Sequence, residues 1–283
     1  MTDSSTDNDS NSRLQQALDR KTIDLIDDTA GSIRDSIERG ELPDIELPVR
    51  GLANVNYDAA KGYLELGDAT KTRTLTVNTV RSFAQTLRLM AASRQMVESD
   101  DFATKREAYY ISKNWGDCRF DEQAESDAIM DDIEALASMH GLSREQLRFY
   151  PESHGGSVAG PLAVMDTDPE TGEAIEIDCA RLGSGAYSVP RSVERLRFST
   201  EAKFILAIET GGMFQRLNNH RFWKNANCIL VEMGGVPTRA TRRFIRRLSD
   251  EVDIPVYCFV DCDPYDNDNI YRNLKAGSGN AAH

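Results

Sequence analysis

The stretch KFILAIETGGMFQRLNNHRFWKNANCILVEMG, residues 203–234, decides the fold of the C-terminal half, because it switches from a strand pattern to a helical one and back. Three continuous apolar runs predict buried strands: KFILAIE, CILVEMG and IPVYCFVDCDP. Three intervening or following segments predict helices: GGMFQRLNNHRFWKN, TRATRRFIRRLSDEV and DNIYRNLKAG. Strands and helices that alternate at this spacing form right-handed βαβ crossovers, so we expect a parallel sheet here.

Three carboxylates follow two of these predicted strands. Glu209 follows the first strand, and Asp261 and Asp263 follow the third, where their spacing lets both face one side. Ligands of open parallel sheets bind at the carboxyl ends of the strands, and carboxylate oxygens suit a hard divalent ion, so this pattern predicts a Mg²⁺ site. The alternative is that these acids cap the helices that follow. Glu232, at the end of the second strand, is a further candidate for the site or for a structural role.

The first 76 residues combine a polar tail with one long helix. We expect disorder over residues 1–12, an amphipathic helix over 13–39 that ends at Gly40, and a proline-punctuated linker at ELPDIELPVRG. YLELG and TRTLTV predict short strands.

A helical block comes next. Three helices are predicted, VNTVRSFAQTLRLMAASRQMVES, TKREAYYISKN and DEQAESDAIMDDIEALASMHG. Thr104 can cap the second with Glu107 at the capping-box position, Asp121 can cap the third, and Gly141 can close it. Short turns between three helices suit a helix-turn-helix core. The short β runs LAVMD, AIEID and AYSVP then suggest a β-wing and a connecting segment.

Composition excludes several classes of protein. With 283 residues and 40% apolar content, the chain can bury two cores, and it shows neither an apolar run long enough for a membrane span nor a secretory signal. We therefore expect a cytoplasmic protein. Its five cysteines are scattered without a CxxC pair, which argues against structural zinc and for reduced core thiols.

The net charge of −13 argues against a general nucleic-acid binder, because neutralising phosphates requires Lys and Arg. That objection is weakened by TRATRRFIRRL, which holds five arginines and no acid. A surface rich in Asp and Glu is also typical of a high-salt cytoplasm, so we expect a halophilic source.

The pair Tyr109–Tyr110 stands between cations in TKREAYYISKNW, residues 104–115. Arg106 is four residues before Tyr110 and Lys113 three after it, so all three share one helical face. A cation beside a phenol that attacks phosphate would bind that phosphate. Tyr109 satisfies nearly the same spacing, so helical periodicity leaves the choice between the two tyrosines open. Packing of both rings in the domain interior is the other interpretation.

These motifs together carry a resemblance. The stretches involved are KREAYY (105–110), DCARLGSGAYSVP (178–190), KFILAIETGGMFQRL (203–217), GGVPTRATRRFIRRL (234–248) and IPVYCFVDCDPY (254–265). In their order and spacing, from about residue 75 onward, the chain resembles the A subunit of topoisomerase VI, the archaeal type IIB topoisomerase. It is also similar to the related meiotic recombination transesterase. The resemblance implies an α+β chain in which a CAP-like winged-helix domain precedes a Toprim α/β domain, and it suggests a haloarchaeal source.

The resemblance also assigns roles. It places the nucleophile at Tyr110, with Tyr109 as its packing partner, and the motif's arginine at Arg106. It places the Mg²⁺ ligands at Glu209, Asp261 and Asp263. Candidate DNA-backbone contacts are Lys113, Arg239, Arg242, Arg243 and Arg246, although a solvated basic helix face is the alternative for the four arginines.

Four segments follow from these assignments. They are an acidic N-terminal extension (1–70), the winged-helix domain (71–160), a wing or connecting segment (161–198) and an incomplete Toprim domain (199–283). One departure from the family pattern is Asp266, where the family has Gly. From the resemblance we also expect the last Toprim strand and the dimer-forming C-terminal elements to be missing.

The implied function is cleavage and resealing of double-stranded DNA through a 5′-phosphotyrosyl intermediate with Mg²⁺. The implied partners are a second copy of this chain and an ATP-binding B subunit, in an A₂B₂ complex on the nucleoid, since this chain has no GxxxxGK[ST] loop of its own. The alternatives are a non-catalytic DNA-binding homologue and a Toprim nuclease that cuts with water.

Overall fold

A computed structural model describes residues 4–58, 63–150, 155–168, 171–264 and 266–276. The chain divides into two compact units, one over the described residues up to 150 and the other over those from 155. Among the described residues no helix combines the length and the apolar character that crossing a membrane requires.

The first unit is mainly helical. Its helices are α1 (Ser4–Glu38), α2 (Val80–Ser99), α3 (Lys105–Ser112) and α4 (Gln123–Met139). Its strands are β1 (Asp44–Pro48), β2 (Val55–Asp58), β3 (Tyr63–Leu66), β4 (Thr70–Thr74), β5 (Ala103–Thr104) and β6 (Phe149–Tyr150). The core between α2, α3 and α4 includes the fully buried Leu89, Phe120 and Met130. The three predicted helices of this block are confirmed.

Two expectations about the N-terminal region are wrong. Helix α1 begins at Ser4 rather than near residue 13, and the stretch SSTDNDSNS contains no proline or glycine that would stop it. The predicted linker contains β1, which pairs antiparallel with β4 from Asp44↔Thr74 to Pro48↔Thr70. In β1 the buried Ile45 and Leu47 alternate with exposed residues, and this period of two outweighs the neighbouring prolines.

Helix termini in this unit follow local capping chemistry. Thr104 and Glu107 form the predicted capping box of α3. Gly141, with φ of +66°, follows the last turn of α4 as predicted. Asp121 does not cap α4, whose N-cap residue is Glu122. The Asp121 carboxylate instead pairs with Arg81, 2.8 Å away.

The second unit contains the predicted parallel strands. Its strands are β7 (Ser157–Ala159), β8 (Leu162–Thr167), β9 (Ala174–Asp178), β10 (Tyr187–Ser188), β11 (Arg197–Thr200), β12 (Phe204–Ile208), β13 (Cys228–Glu232) and β14 (Val256–Phe259). The main sheet has the order β10-β7-β13-β12-β14, and β12 pairs in parallel with both β13 and β14. The short strand β7 joins antiparallel to β13, and a second antiparallel sheet has the order β11-β8-β9.

Helices connect or follow the parallel strands β12, β13 and β14. They are α5 (Gly211–Asn219), α6 (Phe222–Ala226), α7 (Arg239–Val252) and α8 (Arg272–Ala276). A π-helical stretch, Asp266–Tyr271, precedes α8, so the third predicted helix is not a single α-helix. Its predicted end, from residue 277, lies outside the described residues. The core here includes the fully buried Ile205, Ile229 and Phe244, contributed by β12, β13 and α7.

The cysteines only partly match the expectation of core thiols. Cys179 and Cys228 are buried, and burial raises the pKa of Cys179 to about 12 and of Cys228 to about 11, so both stay protonated. Cys262, by contrast, is exposed, because it follows the last paired residue of β14.

Candidate functional site

Helix α3 presents the two adjacent tyrosines differently. Tyr110 leaves 54% of its surface exposed, whereas Tyr109 is half-buried and packs against the core of the first unit. This difference follows from the helical period, because Ala108 and Ser112, four residues apart, define the buried face of α3. The phenol that a substrate can reach most readily is therefore that of Tyr110.

Arg106 lies one helical turn before Tyr110. Its guanidinium carbon is 5.8 Å from the centroid of the Tyr110 ring, a cation–π distance. The two tyrosine rings are tilted at 54° with centroids 5.3 Å apart. Arg106 and Tyr109 thus both contact the Tyr110 ring, as their spacing on the helix allows.

Lys113 does not share this arrangement. Its ammonium donates to the Phe120 carbonyl, with a 2.6 Å distance between nitrogen and oxygen, and lies 4.1 Å from the centroid of the Tyr109 ring. The structure therefore places Lys113 against Tyr109 and the loop before α4, rather than beside Tyr110 as its sequence spacing suggested.

The loop before α4 is also tied to α2. Arg81 donates to the Asp121 carboxylate, and this hydrogen bond, with the charge of Arg81, holds the pKa of Asp121 below its ordinary value. The same contact raises the pKa of Arg81. Reasoning from the sequence missed this pair, because 40 residues separate its members and both lie on exposed helix or loop positions.

In the second unit, Glu209 directly follows β12. Its N–H donates to the Phe259 carbonyl at 3.0 Å, and its carbonyl accepts from the Gly235 N–H at 2.9 Å, so the backbone on both sides of the residue is fixed. The Glu209 carboxylate accepts from the Asp261 N–H, with Oε2 and the amide nitrogen 3.1 Å apart. Glu209 and Asp261 therefore meet at the carboxyl ends of β12 and β14.

The predicted set of three metal ligands is only partly brought together. Among the described residues, no group of three His, Cys, Asp or Glu side chains is close enough to hold a metal ion. Asp261 and Asp263 are both exposed, since they lie beyond the paired part of β14. A Mg²⁺ site commonly takes only one or two carboxylates and completes its shell with water and substrate phosphates. The Glu209–Asp261 pair, with Asp263 two residues on, is a donor set that fits such an ion.

Glu232 ends β13, directly opposite Ile208 in the neighbouring strand. Its carboxylate lies against Gly211, the first residue of α5, since a Cβ on that glycine would be 2.4 Å from Glu232 Oε1. Glu232 therefore faces the start of α5, where the helix dipole favours a negative charge. This placement agrees with the structural role considered for it from the sequence.

The arginines of α7 contact their own unit. Arg243 pairs with Glu194 at 2.7 Å, and Arg246 pairs with Asp250 at 2.7 Å along the helix. Arg247 donates to the carbonyls of Val193 and Leu196, and burial lowers its pKa. Arg239 and Arg242 lie in the first turn of the helix. Of the arginines predicted as DNA contacts, Arg243 thus joins α7 to the segment before β11, whereas Arg246 pairs within its own helix.

Three family models match successive parts of the chain. Residues 81–148 match "Type IIB DNA topoisomerase", and residues 152–202 match "All-beta domain in DNA topoisomerase VI alpha subunit". Residues 204–283 match the Toprim domain that the topoisomerase 6 A subunit shares with Spo11. The strands predicted as a wing or connection thus fall in the all-beta match and in the second unit.

Curated relatives extend the similarity over most of the chain. The A subunit of type 2 DNA topoisomerase 6 from Methanocaldococcus jannaschii is 50% identical over 264 residues, which cover 93% of this chain and 69% of the relative. This chain belongs to the family of type 2 DNA topoisomerase 6 A subunits. The Halobacterium salinarum relative is 35% identical over 88% of this chain and 68% of its own length, and that of Archaeoglobus fulgidus is 32% identical over 94% and 73%.

Family membership confirms the Toprim and type IIB topoisomerase assignments made from the sequence motifs. The expected haloarchaeal source receives no support, because the methanogen relative is more similar to this chain than the Halobacterium one. An acidic composition alone is a weak indicator of salt adaptation. The winged-helix assignment, the four-segment division and the individual site residues stay predictions.

Proposed function

We propose that this chain cleaves and reseals double-stranded DNA by transesterification, with Tyr110 as the nucleophile. The observation that carries the proposal is the exposed Tyr110 phenol under the Arg106 guanidinium, in a chain of the topoisomerase 6 A-subunit family. Tyr109, whose hydroxyl donates to the Asp121 carbonyl, is the less suitable nucleophile because its oxygen is already engaged.

The chemical step exchanges one phosphoester bond for another. Tyr110 Oη attacks a backbone phosphorus, the bond from phosphorus to O3′ breaks, and the proton lost by the phenol ends on the departing 3′ oxygen. The 5′ end of the broken strand is then joined to Tyr110. Attack by the 3′ hydroxyl reverses the step, and religation needs no outside energy because the number of phosphoester bonds is unchanged. Arg106 binds the non-bridging oxygens of the phosphate.

Glu209, Asp261 and Asp263 would hold Mg²⁺. A bound Mg²⁺ supplies stabilisation of charge on the phosphate and on the leaving oxygen. Glu209 is the central ligand of this proposal, because it is half-buried and its backbone is fixed on both sides by hydrogen bonds. Asp261 and Asp263, on the exposed chain after β14, complete the donor set.

A double-strand break needs one nucleophile for each strand, so we propose that two copies of this chain act together. ATP would enter through a separate ATP-binding B subunit, giving an A₂B₂ complex that acts on the DNA of the cytoplasm. The support for this assembly is family membership, together with the absence of a phosphate-binding GxxxxGK[ST] loop in the sequence.

A denaturation-resistant DNA–protein adduct tests the proposal. The chain and a family B subunit are incubated with supercoiled DNA, ATP and Mg²⁺, and the reaction is stopped with detergent. A transesterase gives broken DNA that carries protein, whereas a metal nuclease gives breaks without protein and a DNA-binding homologue gives neither. The Tyr110→Phe variant, which lacks only the phenolic oxygen, is the matched control and should give no adduct.

A further inference from the structure

We propose that Tyr109 and Lys113 are positioning residues, which hold Tyr110 by fastening α3 to the loop of residues 119–121 and do so without contacting DNA. The proposal rests on the assignment of Tyr110 as nucleophile, and it replaces the DNA-backbone role expected for Lys113 from its sequence spacing.

Two donors meet on this loop, one from α3 and one from the residue that directly follows it. The Tyr109 hydroxyl donates to the Asp121 carbonyl at 3.1 Å. The Lys113 ammonium donates to the Phe120 carbonyl at 2.6 Å and, more weakly, to the Asp121 carbonyl at 3.4 Å. Tyr110 lies between these two residues in the chain, so the backbone is held on both sides of it.

The loop itself is held from α2. Arg81 and Gln85 both donate to the Arg119 carbonyl, at 2.8 and 3.1 Å. The ring of Phe120 is fully buried, and its N–H donates to the hydroxyl of Ser112, the last residue of α3. Three successive carbonyls, 119 to 121, thus receive side chains from two helices, which makes the loop a fixed support for α3.

The side chains also form a continuous series of contacts. The Lys113 ammonium lies over the Tyr109 ring, the Tyr109 ring contacts the Tyr110 ring, and the Arg106 guanidinium lies over Tyr110. The Tyr109 ring therefore packs against the ring of the proposed nucleophile, Tyr110. A lysine ammonium has three donor hydrogens, and the two loop carbonyls engage two of them, which leaves Lys113 one donor for any other contact.

Salt dependence separates this role from a DNA contact. Losing a phosphate contact should reduce the slope of log affinity against log salt by about 1. Losing a positioning contact should leave DNA affinity and its slope unchanged and lower the rate constant of the chemical step. A fraction of misfolded enzyme would lower the amplitude of adduct formation instead of its rate constant.

The experiment uses the complex with the B subunit and measures single-turnover adduct formation at saturating DNA, together with DNA affinity at several salt concentrations. For Lys113→Met and for Tyr109→Phe we expect the rate constant to fall by about tenfold, with unchanged affinity and salt slope. Lys113→Arg, which keeps the positive charge and the hydrogen-bond donors, should stay within about threefold of the wild-type rate constant. Asn114→Ala, a change at the neighbouring exposed residue, is the control and should have the wild-type rate constant. Because Tyr109 and Lys113 share the Asp121 carbonyl, the double variant should lose less than the product of the single effects.

A lower salt slope in Lys113→Met with an unchanged rate constant would overturn the proposal and assign Lys113 to DNA. Unchanged rate constants in both single variants, with the adduct on Tyr110 intact, would overturn it as well. An adduct formed on a residue other than Tyr110 would remove the proposed function itself, and this inference with it.

Discussion

The backbone N–H of Asp261 donates to the carboxylate of Glu209 across a sequence separation of 52 residues, with 3.1 Å between nitrogen and oxygen. This contact joins the carboxyl ends of β12 and β14, the two strands that carry the proposed Mg²⁺ ligands. The Glu209 side chain thus has a structural contact that glutamine can reproduce and a negative charge that glutamine lacks.

Glu209→Gln should therefore weaken Mg²⁺ binding while leaving the stability of the fold unchanged. We expect the midpoint of thermal unfolding without metal to stay within about 2 °C of the wild type, because the amide oxygen can still accept from the Asp261 N–H. Mg²⁺ affinity, measured by titration calorimetry, should fall by about tenfold or more. Glu232→Gln, a matched change at the end of the adjacent strand, should alter that affinity much less. Equal Mg²⁺ affinity in wild type and Glu209→Gln would exclude Glu209 as a ligand.

Gly156 should tolerate no side chain. A Cβ at this position would lie 1.7 Å from the Glu232 carbonyl oxygen, so β7 and β13 would have to separate. We expect Gly156→Ala to lower the free energy of unfolding of the second unit by about 3 kcal/mol or more, measured by urea denaturation. Gly212→Ala is the control, because a Cβ there has no heavy atom within 4 Å. Similar stability of the two variants would show that the β7–β13 contact is placed wrongly.

The Arg81–Asp121 pair should contribute stability only above acidic pH. The pKa of Asp121 is lower in the folded chain than in an unfolded one, so its contribution is fully present above the unfolded value of about 3.9 and is lost as the pH falls through the folded value. The difference in unfolding free energy between wild type and Asp121→Asn should be constant above about pH 5 and shrink toward pH 3. A difference that grows as the pH falls would contradict the sign of this shift.

The sequence predicts the elements of this chain better than their contacts. Apolar runs such as KFILAIE identify β12, β13 and β14, and the Thr104–Glu107 spacing identifies the capping box, because each signal lies within a few residues. The three-residue strand β7 was missed, since its pairing with β13 depends on residues about 70 positions away. Helical periodicity predicted Lys113 beside Tyr110, but its ammonium donates to the carbonyls of Phe120 and Asp121. Every residue has a backbone carbonyl, so a sequence pattern cannot show which carbonyls accept a hydrogen bond.

In the candidate site, too, the sequence predicts positions along the chain better than it predicts contacts. Strand order places Glu209 and Asp261 at one edge of a parallel sheet, and the structure brings them into contact. The sequence could not show that the three carboxylates do not form a compact group among the described residues, because Asp261 and Asp263 lie on exposed chain beyond the paired part of β14. Similarly, the exposure that distinguishes Tyr110 from Tyr109 depends on which face of α3 meets the core.

Identification of the residue that carries DNA in the covalent adduct tests the central claim most directly. The adduct formed with Mg²⁺ and the B subunit is digested with protease and nuclease, and the remaining nucleotide is located by mass spectrometry of the peptides. We expect a 5′-nucleotide on Tyr110, in the peptide that follows Arg106, and none on Tyr109. A nucleotide on Tyr109 or on any other residue, or DNA breaks that carry no protein, would contradict the account.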